Sequence, residues 1–276
     1  MRNDVFSFFG HYRFKNGKMS KNRICLSSLA EQQKEAEMGD YGIIFSTINH
    51  GHDAANENSV AKLSNRVNKL ARYESLNIIQ LFQGDIHYCV NNMTLRDLHK
   101  LIDDFASATR AAFEGGFDGA EILGSHEYFL AQFFSPLLNS RQDEFGGSVL
   151  NRANLACRIL KACRQVVPHE FLLGFRLTPE HPQLGLDIDD SLQIADLLVQ
   201  AGADFIDLSL PNLLLASKKY LHLSDKPILA YFREQLGNHY PLIVAGNLQA
   251  PIEAQKAFES GASFVAVAAE LRAGPV

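Results

Sequence analysis

Short apolar runs recur along the chain and alternate with segments whose apolar residues follow a helical period. The run Tyr41–Ile48 is largely apolar, as expected for a parallel strand that is covered on both faces. The runs predict eight strands: Arg23–Leu29, Tyr41–Ile48, Asn77–Phe82, Gly119–Leu123, Phe171–Leu177, Phe205–Leu210, Leu242–Ala245 and Phe264–Val267.

Helices are predicted between most of these strands. Thr94 is a good N-cap for a long amphipathic helix that ends at Gly115-Gly116. Ala30–Met38 is too short for more than two helical turns. The other predicted helices are Val60–Leu70, Ser148–Val167, Asp189–Ala201, part of Lys226–Leu236, and Pro251–Ser260.

Eight alternating strand and helix units predict a (β/α)₈ TIM barrel formed by a single domain, residues 1–276. A doubly wound open sheet is the competing fold, but the chain has no G-x-G-x-x-G motif. Asn16-Gly17 within Phe14–Lys18 predicts an N-terminal β-hairpin. Only nine residues follow Val267, so the eighth helix is expected to be truncated or missing.

Composition narrows the class of protein. The 276 residues are 46% apolar and carry a net charge of −5, so no basic surface favours nucleic acid or a membrane as a partner. The four cysteines form no disulfide or metal-binding spacing. The N-terminal residues lack the apolar core of a signal peptide, and no run could span a membrane. A soluble cytoplasmic protein that binds no metal is expected.

Polar residues at the carboxyl ends of the strands are the candidates for chemistry, because these ends meet at one mouth of a barrel. Arg176 lies within an apolar strand, where a lone guanidinium is costly unless an acceptor meets it. It could instead form a structural ion pair, with Glu121 as one partner, and Gln80 could be a satisfied core amide. The candidates are Gln80, His126, Tyr128, Arg176, Ser209, Gly246-Asn247 and Ala268-Ala269.

The segment Asp118–Arg152 resembles the signature of the Old Yellow Enzyme family. These proteins are FMN-dependent NADH:flavin oxidoreductases and ene-reductases, and the resemblance extends from about Phe14 to Gly274. The matching residues are Glu121-Ile122, His126, Tyr128, Gln132-Phe133, Ser135-Pro136, Asn139, Arg141, Asp143-Glu144, Gly146-Gly147-Ser148 and Asn151-Arg152.

The resemblance implies a role for each candidate. Gln80 is similar to the glutamine that hydrogen-bonds the flavin ring, and Arg176 to the arginine at its pyrimidine edge. Gly246-Asn247 resembles the loop that binds the flavin phosphate. His126 matches a residue that anchors the substrate carbonyl, and Tyr128 matches the tyrosine that protonates the substrate carbon.

The chain also departs from the family pattern. Leu123 stands where the family has the first histidine of the carbonyl-binding pair. Ser28 lies in a stretch that lacks the family's proline and threonine near the flavin. Ala268 and Ala269 replace a Gly-Arg pair at the phosphate site, which predicts weak FMN binding.

Two functions are therefore expected from the sequence. The first is an FMN-dependent oxidoreductase that passes a hydride from NADH or NADPH, through the flavin, to an activated alkene or related small-molecule acceptor. The second is a catalytically degenerate relative that binds FMN weakly or not at all and acts as a binding or scaffold protein. Other barrel chemistry, such as that of aldolases with a catalytic lysine, is not favoured, because no lysine lies at the end of a predicted strand. We also expect the segment Val5–Phe9 or a second copy, in a homodimer, to cover the thin outer layer near the eighth strand.

Overall fold

The computed structural model describes residues 10–27, 40–49, 57–83, 90–248 and 250–267. Several expectations fall outside these residues. They concern the segments Val5–Phe9 and Ala30–Met38, the positions Ser28, Ala268 and Ala269, and the eighth helix.

Eight parallel strands close into a barrel, as predicted. The barrel closes because the last strand pairs with both the first barrel strand and the preceding strand, so the open-sheet alternative is wrong. The barrel strands, in spatial and chain order, are β3 (Ile24–Leu26), β4 (Ile43–Asn49), β5 (Leu76–Phe82), β6 (Gly119–Gly124), β7 (Leu172–Leu177), β8 (Phe205–Ser209), β9 (Leu242–Ala245) and β10 (Phe264–Val267).

The helices confirm most of the predicted segments to within a few residues. Thr94 caps its helix with a capping box formed with Asp97, and Ser148 caps the helix after the signature loop. The short helix Phe129–Phe134 was not predicted. The helices are α1 (Glu57–Leu70), α2 (Leu95–Glu114), α3 (Phe129–Phe134), α4 (Val149–Gln165), α5 (Ile188–Gln200), α6 (Ile228–Leu236) and α7 (Pro251–Glu259). Within the described residues, no helix is long and apolar enough to cross a membrane.

The predicted hairpin closes the amino-terminal end of the barrel. Its strands are β1 (Tyr12–Arg13) and β2 (Met19–Ser20), and Gly17 adopts a φ of +92° in the turn. Phe14 is buried and stacks on Phe264, with ring centroids 5.5 Å apart. The hairpin therefore fills the space that the strands leave at this end.

The barrel interior is apolar near the hairpin. One cluster joins buried side chains from seven of the eight strands, which is possible only across the inside of the barrel. Its larger members are Ile43, Phe45, Leu76, Ile78, Leu172, Phe205, Ile243 and Phe264.

Two residues further along several strands, the same interior face becomes polar. Gln80 follows Ile78 on this face, and Asp207 follows Phe205, because strand side chains alternate with a period of two. Glu121 and Arg176 lie beside them, since Gln80 pairs with Glu121 and Arg176 with Asp207 in the strand register. The fold thus places a polar layer directly below the carboxyl-terminal mouth.

Candidate active site

The turn after β6 carries the histidine that the sequence singled out. His126 adopts a φ of +54°, in the left-handed region that only a few per cent of residues other than glycine occupy. Its backbone N–H donates to Thr178 Oγ1 at 2.8 Å, which ties this turn to the end of β7. Such a conformation costs on the order of 1–3 kcal/mol and persists only when neighbouring contacts hold it.

Both imidazole nitrogens of His126 lie near serine hydroxyls. Nε2 is 3.2 Å from Ser209 Oγ, and Nδ1 is 3.2 Å from Ser125 Oγ. Arg176 donates to the same Ser209 oxygen at 3.3 Å. Because a hydroxyl has two acceptor lone pairs and one proton, Ser209 can still either donate to Nε2 or accept from it. The two serine contacts therefore suit a neutral imidazole in either tautomer.

The electrostatic surroundings agree with a neutral His126. Desolvation lowers its pKa below the ordinary 6.5, and the charge of Arg176 and the nearby His181 lower it further. One side of the residue remains exposed at the mouth. At neutral pH His126 can thus donate one hydrogen bond and accept another, but it carries no charge.

Tyr128 lies beside His126 at the rim. Their ring centroids are 6.2 Å apart in an edge-on arrangement, and the Tyr128 ring also meets the edge of Phe82 at 6.0 Å. Tyr128 is 45% exposed at the mouth. The phenol is therefore free to meet a molecule that enters the mouth.

The carboxylate nearest to Arg176 is Asp207. Arg176 Nε lies 3.6 Å from Asp207 Oδ2, whereas Glu121, the partner considered from the sequence, accepts a hydrogen bond of 2.6 Å from Gln80 Nε2. Arg176 thus lies near a carboxylate and Gln80 has a hydrogen-bond partner, as the two structural alternatives from the sequence expected. Arg176 Nε has no hydrogen bond to any described residue, so the guanidinium keeps donor capacity.

The expected phosphate loop follows β9 and is closely packed. A Cβ atom on Gly246 would come within 2.9 Å of the backbone nitrogen of Leu213, so this position requires glycine. The Asn247 N–H lies 3.4 Å from the carbonyl of Pro211. The Glu253 carboxylate accepts from the Ala250 N–H at 3.3 Å at the start of α7. An acidic side chain therefore already occupies the helix terminus nearest to this loop.

Three matching residues of the signature segment serve as scaffold. Asn139 donates to the carbonyls of Phe133 and Phe145, both at 2.8 Å. Arg152 is buried, donates to the carbonyl of Phe134 and forms an ion pair of 2.7 Å with Asp190.

Arg141 makes comparable backbone contacts. It donates to the carbonyls of Val90 and Met93 at 2.8 and 2.7 Å and pairs with Asp143. Together with Asn139 and Arg152, it fixes the loop that follows His126 and Tyr128 without reaching the mouth itself.

Sequence reasoning missed three residues of this site. Asp207 lies within the apolar strand Phe205–Ser209, and the same argument that identified Arg176 could have found it. His181 acts electrostatically on His126, and its Nε2 lies 3.8 Å from Glu127 Oε1. No local pattern distinguishes His181 or Thr178 from other loop residues.

A cavity of about 620 Å³ lies at the opposite end of the barrel. It is lined by the hairpin residues Phe14–Asn16 and by residues that precede the strands, including Asp204 and Tyr240. Its position at the amino-terminal end separates it from the polar mouth. This cavity is therefore not part of the candidate site.

Residues 40–275 match the family model of the NADH:flavin oxidoreductase / NADH oxidase family. Among curated relatives, the chain is 31% identical over 188 residues to a probable NADH-dependent flavin oxidoreductase, YqiG, of Bacillus subtilis, covering 66% of this chain and 50% of that protein. It is 42% identical over 118 residues to the NADH-dependent flavin oxidoreductase iccE of Talaromyces variabilis, covering 42% of this chain and 28% of that protein. The chain thus spans half or less of the length of these relatives.

Solved structures show the same fold. An Old Yellow Enzyme homologue from Zymomonas mobilis superposes with a TM-score of 0.75 at 19% identity, over 95% of this chain and 88% of that one. A 2-naphthoyl-CoA reductase superposes with a TM-score of 0.79 at 18% identity, over 94% of this chain and 50% of that one. From the extent of the family match, we conclude that the chain belongs to the NADH:flavin oxidoreductase / NADH oxidase family.

Proposed function

We propose that this protein is an FMN-dependent oxidoreductase that uses NADH or NADPH to reduce an activated alkene or a related small acceptor. The main support for the proposal is a contact at the barrel mouth, where the Ser209 hydroxyl joins His126 to the buried guanidinium of Arg176. Family membership supports the same chemistry. The mouth is also where barrels of this type assemble their active sites.

The residues present fit the ring of a flavin. A flavin ring offers carbonyl oxygens and a nitrogen edge, which need hydrogen-bond donors, and its reduced form is an anion. Arg176 is a buried cation whose Nε lacks a hydrogen bond among the described residues, and Gln80 contributes an amide in the same layer. We infer that these two side chains hold the ring.

FMN would supply, when bound, the acceptance of a hydride from the nicotinamide and its delivery to the acceptor. The positive charge of Arg176 would favour the anionic reduced state, because a fixed charge is effective in a site that excludes water. Asp207 limits this effect, since its carboxylate lies 3.6 Å from the guanidinium.

His126 and Tyr128 are the residues that we expect to meet the acceptor. A neutral imidazole donates from one nitrogen only, so His126 would hold an acceptor carbonyl by one hydrogen bond. Leu123 is buried and apolar and adds no second donor. Tyr128 presents an exposed phenol beside the imidazole, where it could give its proton to the acceptor carbon.

Weak flavin binding is part of the proposal. A phosphate approaching the start of α7 would meet the Glu253 carboxylate, and like charges at a helix terminus oppose each other. The same observation favours the second candidate, a catalytically degenerate relative that binds FMN weakly or not at all and acts as a binding or scaffold protein.

Titration of the purified protein with FMN, followed by flavin fluorescence quenching, separates these candidates. If the protein is an oxidoreductase, we expect saturable quenching of the flavin fluorescence, followed by consumption of NADH or NADPH when an enone is added. Saturable quenching without turnover of any nicotinamide and acceptor pair would support the binding-protein alternative. The absence of quenching at high micromolar FMN would contradict the oxidoreductase proposal.

A variant series tests whether Arg176 holds the ring. Arg176→Met removes the guanidinium but leaves Asp207 as a buried, unpaired carboxylate, which destabilises the fold. The double variant Arg176→Met/Asp207→Asn removes both charges and is the better comparison. We expect it to fold and to bind FMN at least tenfold more weakly than the wild type, whereas Asp207→Glu should retain binding.

A further inference from the structure

Four polar side chains from consecutive strands meet inside the barrel, below the mouth. They are Gln80 of β5, Glu121 of β6, Arg176 of β7 and Asp207 of β8, and all are buried, with at most 7% exposure. The interior beneath them is apolar. Among the described residues, Arg176 is the cation that acts on both carboxyl groups of this set.

The group contains two carboxyl groups and one cation. Arg176 lies 3.6 Å from Asp207 and can offset one negative charge. Glu121 receives a hydrogen bond of 2.6 Å from the neutral amide of Gln80, which offsets no charge. If both acids were ionised, the buried group would carry a net negative charge, and Glu121 Oε2 and Asp207 Oδ1 would remain without a hydrogen-bond partner.

A single proton on one of the two acids would remove the net negative charge and would also give the carboxyl groups a hydrogen bond to each other. Glu121 and Asp207 are close enough to be hydrogen-bonded side chain to side chain, and two carboxyl groups can form such a bond only if one of them is protonated. Protonation turns one of the acceptors without a partner into a donor and makes the group neutral as a whole.

Glu121 binds this proton more tightly than Asp207 does. Burial raises its pKa well above the ordinary 4.5, and the charge of Asp207 raises it further, although Arg176 and the bond from Gln80 oppose this. Burial also raises the pKa of Asp207, but Arg176 lies directly beside it and lowers it. Cys25 of β3 also faces the pair, and its burial and the charge of Asp207 raise the pKa of its thiol, so it remains neutral.

We propose that Glu121 is a positioning residue that is held as the neutral acid against Asp207, where it orients the Gln80 amide and leaves the charge of Arg176 available to a ligand at the mouth. An ionised Glu121 would make the group negative and would repel an anionic ligand. This inference rests on the proposed function only for the role of Gln80 and Arg176 toward flavin. The protonation of Glu121 is independent of any ligand.

The ligand-free protein provides the first test. Glu121→Gln is nearly isosteric, cannot ionise and keeps an oxygen that can accept from Gln80. Because the folded protein holds the Glu121 proton more tightly than the unfolded chain does, the stability that Glu121 contributes is complete below pH 4.5 and is lost as the pH rises toward the folded pKa. The unfolding free energy of Glu121→Gln, relative to the wild type, should therefore increase with pH above about 4.5.

A flat difference, or a variant that becomes less stable relative to the wild type as the pH rises, would overturn the proposal. Infrared spectroscopy of wild-type protein labelled with ¹³C-glutamate decides the question without any variant. A carbonyl band of a protonated carboxyl group should be present at neutral pH in the folded protein. Its absence would overturn the proposal even if Glu121→Gln failed to fold.

FMN titration tests the positioning role. Glu121→Ala removes the acceptor that orients Gln80 and should weaken FMN binding at least tenfold, whereas Glu121→Gln should stay within about threefold of the wild type. Equal losses in both variants, or no loss in either, would contradict the positioning role. If the wild type binds no FMN, the proposed function fails, while the pH dependence and the infrared band still decide the state of Glu121.

Discussion

Ser209 Oγ lies 3.2 Å from His126 Nε2 and accepts a hydrogen bond of 3.3 Å from Arg176, so one hydroxyl joins the exposed imidazole to the buried cation. The positive charge thus acts on His126 from below, while water reaches it from the mouth. Two consequences follow for the titration of His126.

The pKa of His126 should lie below 6.5, because burial and the Arg176 charge both disfavour the imidazolium. NMR titration of the imidazole signals measures it, with His126→Gln used for assignment. In the double variant Arg176→Met/Asp207→Asn, the pKa should move toward 6.5. A wild-type pKa at or above 6.5 would contradict the electrostatic picture of this site.

The same shift predicts a loss of stability in acid. The folded protein binds the His126 proton less tightly than the unfolded chain does, so its contribution is complete above pH 6.5 and is lost as the pH falls through the folded pKa. Urea unfolding of the wild type and of His126→Gln at a series of pH values should show a smaller acid loss in the variant. Identical profiles would rule out this contribution.

Leu123→His should increase the turnover of simple enones. Leu123 is buried and faces Arg176 in the strand register, so an imidazole there would add a second donor near the proposed carbonyl site. One additional neutral hydrogen bond of about 0.5–1.5 kcal/mol corresponds to a rate gain of roughly 2- to 10-fold. Leu123→Phe, which adds a ring without a donor, is the matched control. An equal change in both variants would show that hydrogen bonding is not the cause.

Arg152→Ala should destabilise the fold strongly, and Arg158→Ala on the same helix should not. The Arg152 side chain is 5% exposed and pairs with Asp190, whereas the Arg158 side chain is 35% exposed and pairs with Glu144 at the surface. Removing one partner of a buried pair costs about 3–5 kcal/mol, and an exposed pair contributes no more than about 1 kcal/mol. Denaturant unfolding measures both values, and comparable losses would contradict a scaffold role for the signature arginine.

Glu253→Gln should strengthen FMN binding. The change removes a negative charge from the start of α7 and keeps a side-chain oxygen that can accept from Ala250. A charge at a helix terminus contributes about 0.3–1 kcal/mol, which corresponds to an affinity gain of roughly 2- to 5-fold. Glu259→Gln, near the other end of the same helix, should leave the affinity unchanged. If Glu253→Gln bound FMN more weakly, the flavin phosphate would not lie at the start of α7.

The order of elements could be read from the sequence because each depends on local pattern. Short, largely apolar runs such as Tyr41–Ile48 marked the strands, and Asn16-Gly17 marked the hairpin. Capping residues such as Thr94 and Ser148 marked helix starts. These signals involve residues within a few positions of one another, and the closed barrel follows once eight strands alternate with helices.

The chemistry of the polar layer was decided only by the tertiary structure. From the sequence, Arg176 was a cation in an apolar strand, but whether Glu121 or Asp207 was its nearest carboxylate depends on the stagger of β6, β7 and β8. That stagger is set by how the whole barrel closes, and no local pattern encodes it.

At the mouth of the barrel, too, some features follow from local sequence and others from the packing of distant strands. The sequence identified His126 and Tyr128 as neighbours on one turn, since they are only two residues apart. The contact of His126 with Ser209 brings together residues 83 positions apart in the chain. Local patterning therefore determined which residues the barrel presents at its mouth, and the packing of distant strands determined which of them share a hydrogen bond or a proton.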